Sequence, residues 1–440
     1  MSLLRRRPAP PLRRLDSRVS RRGLLGAGVL AGVLAASGVP LQARTRGGTL
    51  RLGLARPLPF DGDWTHAPAI LAQGAVYDAL TEIGPTGDLS GELAQSWEAA
   101  PGAKVWHLAL RRDAPFHDGT PLTSQDVLAS LARHRTGPAS WVLNRIERIE
   151  AQGPHALLIQ LHDGDPDFPF LLADPRLVIG PEGTFDGTGT GLYRLAEHQP
   201  PGRLRLDRVA EHWKDGRAGW FDAVEAVPLP DPRDRLDALL AGEVDVVDPL
   251  PPDLLAQAEG LAAAAAQGNR QLHARLPEGA DASLASLLSR ALDRDAIASA
   301  WAGTPAADHP LGPLHPALAA LPVPAFDPEA AALVPAPLLT AWEGRPTEDA
   351  TFAHALAGPW SSLRDHPALL PHLAAARATE GPERQAHYEA AQAICAEAAV
   401  VAVVAHIPAV TLHSPALAHG PVSGAAPLDG ARLPERWWFA

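Results

Sequence analysis

A single cysteine, Cys395, occurs in the 440 residues of this chain. A chain with one cysteine forms no internal disulfide, so its folded state must be held together by a hydrophobic core. The length is sufficient for two or three domains, and 46% of the residues are hydrophobic. Cys395 lies in an apolar helical stretch, residues 390–404, where a buried and unreactive thiol is expected.

The first 43 residues have the pattern of an export signal. Basic residues dominate positions 5–22 and an apolar run covers 23–39. That run is shorter than the roughly 20 residues that span a bilayer, which favours a cleaved signal peptide over a membrane anchor. The pair Arg21 and Arg22 favours the twin-arginine route over the general route, with cleavage after Ala43. No cysteine lies near that position, so we expect a soluble periplasmic protein without a lipid anchor.

The remainder of the chain is acidic. The formal net charge is −12, and residues 1–43 contain eight arginines and one aspartate, which leaves −19 on residues 44–440. This balance argues against a nucleic-acid partner, because phosphates require a basic surface. It mildly favours cationic solutes.

Strand and helix patterns are mixed along residues 44–440. Alternation of polar and apolar residues predicts strands at 49–54, 104–111, 156–161 and 203–208. Helical periodicity predicts helices at 67–80, 125–134, 231–241, 284–300 and 382–398. The mixture predicts an α/β or α+β fold. Residues 302–359 are rich in Pro and Ala, so they form either a loop-rich face or a partly disordered segment.

The most distinctive motif is FHDGTPLTSQDV, residues 116–127. Its Asp-Gly pair predicts a tight turn after a strand. Thr123 and Asp126 have the spacing of a capping box at the start of a helix. We therefore interpret the motif as architecture and not as a catalytic dyad of His117 and Asp118.

A glycine-rich segment, GTGTG, covers residues 187–191. It lacks the lysine of a P-loop and the strand-then-helix setting of a dinucleotide site. A structural crossing between domains is the better interpretation.

Six short segments follow one another in a fixed order: LSGELAQSWE (89–98), the motif at 116–127, GTGLY (189–193), HW (212–213), ALLAGEVD (238–245) and LDRDAI (292–297). Together they resemble family 5 of the bacterial extracellular solute-binding proteins, the dipeptide-, oligopeptide- and nickel-binding components of ABC importers. The family usually has Pro where this chain has Leu192. The resemblance covers residues 48–303 and, more weakly, 385–404.

The resemblance implies a bilobal periplasmic binding-protein fold with a hinge and a discontinuous first lobe. The first lobe would contain residues 44–83, 184–272 and 421–440, with a strand near 436–439 in its main sheet. An inserted subdomain would contain 84–183, and a shortened second lobe 273–420.

The resemblance also implies a function without catalysis. A monomer would capture a peptide or other small solute between its lobes and deliver it to an ABC permease and ATPase complex in the inner membrane. The alternatives are a degenerate receptor that acts as a ligand sensor or scaffold and, less favoured, a periplasmic enzyme. Relatives often carry an acidic residue that captures a peptide's amino terminus. Asp349 and Asp365 are the nearest acids here, so a peptide, a chelated metal and another solute all remain open as ligands.

Tryptophans supply candidate ligand contacts, because solute pockets are lined by aromatic side chains with a few polar groups. We expect ligand-binding residues in the loop after the first strand and in the second lobe: Asp61, Trp64, Thr65, His66, Trp342, Trp360 and Arg364. Core or surface packing is the alternative for each of them.

No metal site and no cofactor are expected. The chain has 18 histidines but no HxxxH, HExxH or Cys/His cluster. It also has no GxSxG nucleophile turn after residue 43, so no catalytic residues are assigned.

Overall fold

The structure is a computed structural model that describes residues 44, 46–59, 62–200, 202–267, 270–277, 284–301, 303–306, 308, 323–398 and 401–440. The predicted export signal, with Arg21, Arg22 and Ala43, lies outside the described residues, and so does the candidate ligand residue Asp61.

The described strands, in chain order, are β1 (Thr49–Leu54), β2 (Thr81–Ile83), β3 (Leu89–Gly91), β4 (Ala94–Ala99), β5 (Val105–Leu110), β6 (Ile146–Ala151), β7 (Ala156–Leu161), β8 (Tyr193–Gln199), β9 (Arg203–Arg208), β10 (Ala223–Pro228), β11 (Val246–Val247), β12 (Ala262–Ala266), β13 (Arg270–Arg275), β14 (Thr304–Pro305), β15 (Leu338–Glu343), β16 (Ala402–His406), β17 (Ala409–His413), β18 (Leu417–Ala418) and β19 (Trp438–Phe439).

The described α-helices are α1 (Ala69–Leu71), α2 (Ser124–His134), α3 (Ser140–Leu143), α4 (Phe168–Leu171), α5 (Pro232–Leu240), α6 (Pro252–Leu255), α7 (Ala285–Leu288), α8 (Arg294–Ala300), α9 (Pro328–Leu333), α10 (Glu348–Ala357), α11 (Leu369–Ala378), α12 (Gly381–Glu397) and α13 (Leu433–Arg436). Short 3-10 turns cover Trp64–His66, Pro181–Gly183 and Ser361–Leu363, and a π-helical turn covers Ala72–Val76.

Seven strands form the largest sheet, in the order β12-β17-β11-β1-β10-β9-β8. The central strand β1 pairs in parallel with β10 and with β11, and the other pairings are antiparallel. Leu50, Leu52 and Leu54 of β1 are fully buried and pack in one core with Tyr77 and Trp437. We call this part the large-sheet region.

Two smaller antiparallel sheets lie beside the large one. The sheet β4-β5-β7-β6, with α2, α3 and α4, forms the inserted subdomain. The sheet β14-β16-β13-β15, with α7 to α12, forms the helical subdomain. Each subdomain has its own buried apolar cluster. The described elements mix helices and strands, so the mixed α/β class predicted from the sequence is confirmed.

The chain passes between the large sheet and the helical subdomain twice, from β12 to β13 and from β16 back to β17. In the structure β13 begins at Arg270 and β17 belongs to the large sheet, whereas the resemblance places 184–272 in the first lobe and 273–420 in the second. The expected C-terminal strand was also misplaced: β19 pairs with β18 and not with the main sheet. The lobe boundaries themselves remain a proposal.

The prediction of a helix at 67–80 is wrong beyond Leu71, where α1 ends and the π-helical turn begins. The π-helical turn brings Gly74 so close to the C-terminal segment that a Cβ there would lie 2.0 Å from the carbonyl oxygen of Ala431. A longer straight helix would not make this contact.

The predicted helix 284–300 is divided into α7 and α8, because the side chain of Asp293 caps a new helix by accepting from the N–H of Ala296. The described part of 302–359 contains α9, β15 and α10. Among the described residues, no helix combines the length and the apolar character needed to cross a membrane.

Candidate functional site

The motif at 116–127 connects elements of the fold. The backbone N–H of Thr123 donates to Asp126 Oδ2 at 2.8 Å, and the capping box at the start of α2 is complete. His117 Nε2 donates to the carbonyl oxygen of Gly191 at 2.9 Å, while the side chain of Asp118 accepts from Thr120. The two side chains point to different partners, so the architectural interpretation fits their contacts and a dyad does not.

The glycine-rich segment at 187–191 passes directly over the π-helical turn. A Cβ at Gly189 would lie 2.0 Å from the carbonyl oxygen of Val76, and one at Gly191 would lie 2.2 Å from that of Ala75. These glycines are therefore explained by a close crossing of two chain segments.

A buried ionic network holds together distant parts of the large-sheet region. Lys214 Nζ donates to Asp78 Oδ1 at 3.0 Å, to Glu92 Oε1 at 2.6 Å and to Glu435 Oε1 at 2.9 Å. Arg432 donates two hydrogen bonds of 2.7 Å to Glu92 and one of 3.1 Å to Glu435. Each of these five side chains is at most 4% exposed, and we call them the ionic network.

The three acids of the ionic network are close enough together to hold a metal ion. The ammonium of Lys214 lies among them and hydrogen-bonds to all three, so the protein supplies its own cation. Burial by itself would lower the pKa of Lys214, but the carboxylates of Asp78, Glu435 and Glu92 raise it above its usual range. The network is therefore a structural salt bridge and not the metal-binding centre that its acids alone would suggest.

A cavity of about 200 Å³ lies where the large-sheet region, the inserted subdomain and the helical subdomain meet. Its polar lining comes from four distant segments of the chain: Gln73, Asp174, Arg176, Glu343, Arg345, Ser423 and Arg432. Concave sites at the junction of domains are the usual binding sites of small solutes. We call this cavity the junction cavity.

Charges of both signs surround the junction cavity. Asp174 accepts from Arg176 Nε at 2.7 Å, and the guanidinium of Arg345 lies 5.1 Å from the ring centre of Trp141. Burial lowers the pKa of Arg345, and the nearby charge of Arg176 lowers it further. An anionic group in the cavity would offset this repulsion, so the site favours a solute that carries a carboxylate or a similar group.

A left-handed turn forms one wall of the cavity. Leu428, Asp429, Gly430 and Ala431 all have φ between 57° and 65°. This conformation costs about 1–2 kcal/mol per non-glycine residue. Asp429 offsets part of the cost, because its carboxylate accepts from the N–H of Ser423 at 2.7 Å and from Trp437 Nε1 at 3.1 Å. The turn leads directly into Arg432, so the cavity wall and the ionic network are joined.

Ion pairs connect the inserted subdomain to the helical subdomain. Asp349, which is 1% exposed, accepts from Arg377 Nε at 2.6 Å and lies 2.7 Å from Arg145. Arg145 also donates to Asp165 at 2.8 Å. We call these four side chains the subdomain bridge. Asp349 thus has two arginine partners, whereas the other acid considered from the sequence, Asp365, is exposed.

The described residues of the loop after β1 do not line the junction cavity. Trp64 is 2% exposed, and its ring packs edge-on against Tyr77 with the centroids 6.2 Å apart. Thr65 donates to Asp63, and His66 is exposed. None of the three lines the cavity, so a ligand-binding role for them stays a prediction without a shared site.

The second-lobe candidates are also separate from the cavity. Trp342 lies between the rings of His273 and His354, at centroid distances of 5.1 and 5.2 Å, and 6.0 Å from Trp360. Arg364 is exposed and donates to a backbone carbonyl of α10. The structure brings the two tryptophans together in a core, and the ligand role of all three residues stays a prediction.

The sequence analysis missed the charged lining of the cavity. Arg345 follows β15 in the stretch that was interpreted as loop-rich or disordered. Asp174 and Arg176 follow α4 without any motif. The segment Leu338–Glu343, LLTAWE, does not alternate polar and apolar residues, so no periodic signal marks the strand that positions Arg345.

Comparison with known proteins gives the family. The model of "Bacterial extracellular solute-binding proteins, family 5 Middle" matches residues 88–334, more than half of the chain. The chain is 28% identical over 212 residues to the probable D,D-dipeptide-binding periplasmic protein DdpA of Escherichia coli, which is 44% of this chain and 40% of DdpA. It thus spans half or less of the length of the curated relatives DdpA and y4tO of Sinorhizobium fredii.

Solved structures show the same fold. The periplasmic binding protein DppA from Helicobacter pylori, in complex with the peptide STSA, has a TM-score of 0.72 at 15% identity, covering 89% of this chain and 98% of DppA. The fold is therefore the mixed α/β fold of periplasmic binding proteins. By its family match, the chain belongs to family 5 of the bacterial extracellular solute-binding proteins.

Proposed function

We propose that this protein is the periplasmic substrate-binding component of an ABC importer and that the junction cavity is its solute site. The observation that supports this most directly is a cavity of about 200 Å³ lined by three parts of the fold. A solute there would contact all three parts at once, so binding would favour the closed arrangement over an open one.

The size and charges of the cavity favour a small solute. Its volume is below the roughly 300–1,000 Å³ of pockets for drug-sized ligands. Arg345 would meet an anionic group and Glu343 a cationic one, whereas Asp174 and Arg176 are paired with each other. A short peptide or another small zwitterion has both groups. DdpA is described as a probable D,D-dipeptide-binding protein, and the H. pylori DppA structure contains a peptide, which supports this class.

Native mass spectrometry of protein purified from the periplasm would test the proposal. We expect a co-purified solute on the wild-type protein and its loss in Arg345→Gln. Arg112→Gln is the matched control, because this arginine is exposed and does not line the cavity. Equal retention of solute by both variants would show that the junction cavity is not the solute site. A folded protein that carries no solute, and that binds none of a panel of dipeptides in calorimetry, would contradict the function.

We also propose export by the twin-arginine route, with a mature protein that is not lipid-anchored. Replacing both Arg21 and Arg22 with Lys should retain the precursor in the cytoplasm. Unchanged periplasmic delivery would contradict this route and favour the general one.

A further inference from the structure

The helical subdomain contains a histidine pair whose members are 15 residues apart in the sequence. His372 lies on α11 and His387 on α12, and their Nδ1 atoms are 3.2 Å apart. The ring centroids are 5.5 Å apart, with a 48° angle between the planes. Both side chains are half-buried, so solvent ions reach them.

The distance between the two nitrogens suits a shared metal ion. Imidazole nitrogens bind Zn²⁺ at about 2.0–2.1 Å, so nitrogens 3.2 Å apart would subtend an angle of about 100° at the metal. This angle lies between the square-planar and tetrahedral values. In the present contact one Nδ1 donates to the other. To bind a metal ion, the donor ring would carry its proton on Nε2 instead, so that each neutral ring offers an Nδ1 lone pair.

The packing of the two helices holds the pair in place. Leu373, the residue after His372, and Tyr388, the residue after His387, are buried in one apolar cluster. The two helices therefore cannot separate at this position without exposing core residues. Rigid support of this kind lowers the entropic cost of binding, because both ligands are already oriented.

We propose that His372 and His387 form a cross-helix site for a divalent transition-metal ion. Among the described residues, no third Asp, Glu, His or Cys joins the pair in a group of metal-ligand dimensions. At least two coordination positions would thus be filled by water or by an exogenous ligand. Two imidazoles bind Cu²⁺ more tightly than Ni²⁺ or Zn²⁺ and do not select Mg²⁺ or Ca²⁺.

No metal site was expected from the sequence, because the HxxxH and HExxH motifs place both ligands within one helix. A site formed across a helical hairpin has no such spacing. The inference is independent of the junction cavity, and its failure would leave the proposed solute site unaffected.

Copper titration of the chelator-dialysed mature protein tests the site. Calorimetry should show Cu²⁺ binding that is weakened at least tenfold in His372→Gln and in His387→Gln, but unchanged in His107→Gln. His107 is the matched control because it is an exposed histidine of β5, in another subdomain. Added Cu²⁺ should raise the melting temperature of the wild type and of this control, but not of the two site variants, since binding to the folded state alone stabilises it.

A measurement on the wild type alone protects the test against misfolded variants. The electron paramagnetic resonance spectrum with one equivalent of Cu²⁺ should show coupling to two imidazole nitrogens. A spectrum without nitrogen coupling, or variants that bind Cu²⁺ as the wild type does, would overturn the proposal and leave the pair as a hydrogen bond between helices.

Discussion

The ionic network and the subdomain bridge are both clusters of buried charge, but they differ in what they connect. The ionic network lies where the chain passes from the large-sheet region into the inserted subdomain, and its cations are almost fully buried: Lys214 is 4% exposed and Arg432 is 3% exposed. The subdomain bridge joins two parts of the fold, and its arginines are more accessible: Arg377 is 35% exposed and Arg145 is 19% exposed.

This difference indicates which charges can separate. The arginines of the subdomain bridge can regain water when the two subdomains move apart. The side chains of the ionic network cannot, because all five are almost fully buried and a separated charge would remain buried. We therefore expect the subdomain bridge to open during solute exchange and the ionic network to stay intact.

The largest expected effect comes from breaking the ionic network. Lys214→Ala removes one of the two cations of the ionic network, so that three clustered carboxylates keep only Arg432. Removing one partner of a buried charge cluster costs about 3–5 kcal/mol of unfolding free energy, which urea denaturation would measure. Lys104→Ala is the matched control, because this lysine is exposed and lies 3.9 Å from Glu147. A Lys214 variant as stable as the control would mean that the network does not hold the region together.

An uncharged probe of the same region is Trp64→Ala, which should cost about 3 kcal/mol of stability because the indole is buried against Tyr77. Trp64→Phe keeps a ring in the core and should cost less. Thermal melting of the protein without solute measures both. If the alanine variant melts like the wild type but loses solute binding, Trp64 is a ligand contact, as the sequence first suggested.

A smaller effect is expected from the subdomain bridge. Asp349→Asn removes the charge shared by Arg145 and Arg377, and both arginines then turn to solvent or to Asp165. We expect a loss of about 1–3 kcal/mol and a larger radius of gyration in solution scattering. The control is Asp365→Asn, at an exposed aspartate. A radius equal to that of the wild type would show that the bridge does not hold the two subdomains together.

The smallest loss of unfolding free energy, counted per residue and per pH unit, is expected when the protein is acidified. Burial lowers the pKa of His273 to about 3, and that of His354 and of His406 to about 4, all in the helical subdomain. The unfolded chain binds these protons near pH 6.5, so stability is complete above that value and declines as the pH falls toward 4. Each group contributes at most about 1.4 kcal/mol per pH unit.

Urea denaturation at pH 7 and at pH 5 would measure this loss. His354→Phe should reduce the pH dependence, because it removes one titrating group. Stability that does not change over this range would contradict the burial of neutral histidines.

The strands β1, β7 and β9 were predicted with the ends that the structure has, because half-buried strands alternate residue by residue. The helix at 67–80 failed because Gly74 must approach Ala431, a contact between segments more than 350 residues apart. The junction cavity could not be predicted for the same reason. Gln73, Arg345 and Arg432 come from segments whose meeting depends on the whole topology.

The order of synthesis gives the ionic network a further consequence. Glu92 and Arg432 are separated by 340 residues, so the acid leaves the ribosome long before its partner is made. At roughly 5–20 residues per second, the interval is about 20–70 s. Throughout that time Glu92 lacks Arg432, and Lys214 is the only cation of the ionic network that the nascent chain can offer it. The region therefore completes its core only after Arg432 has emerged, and partly folded nascent chains must be protected from aggregation until then.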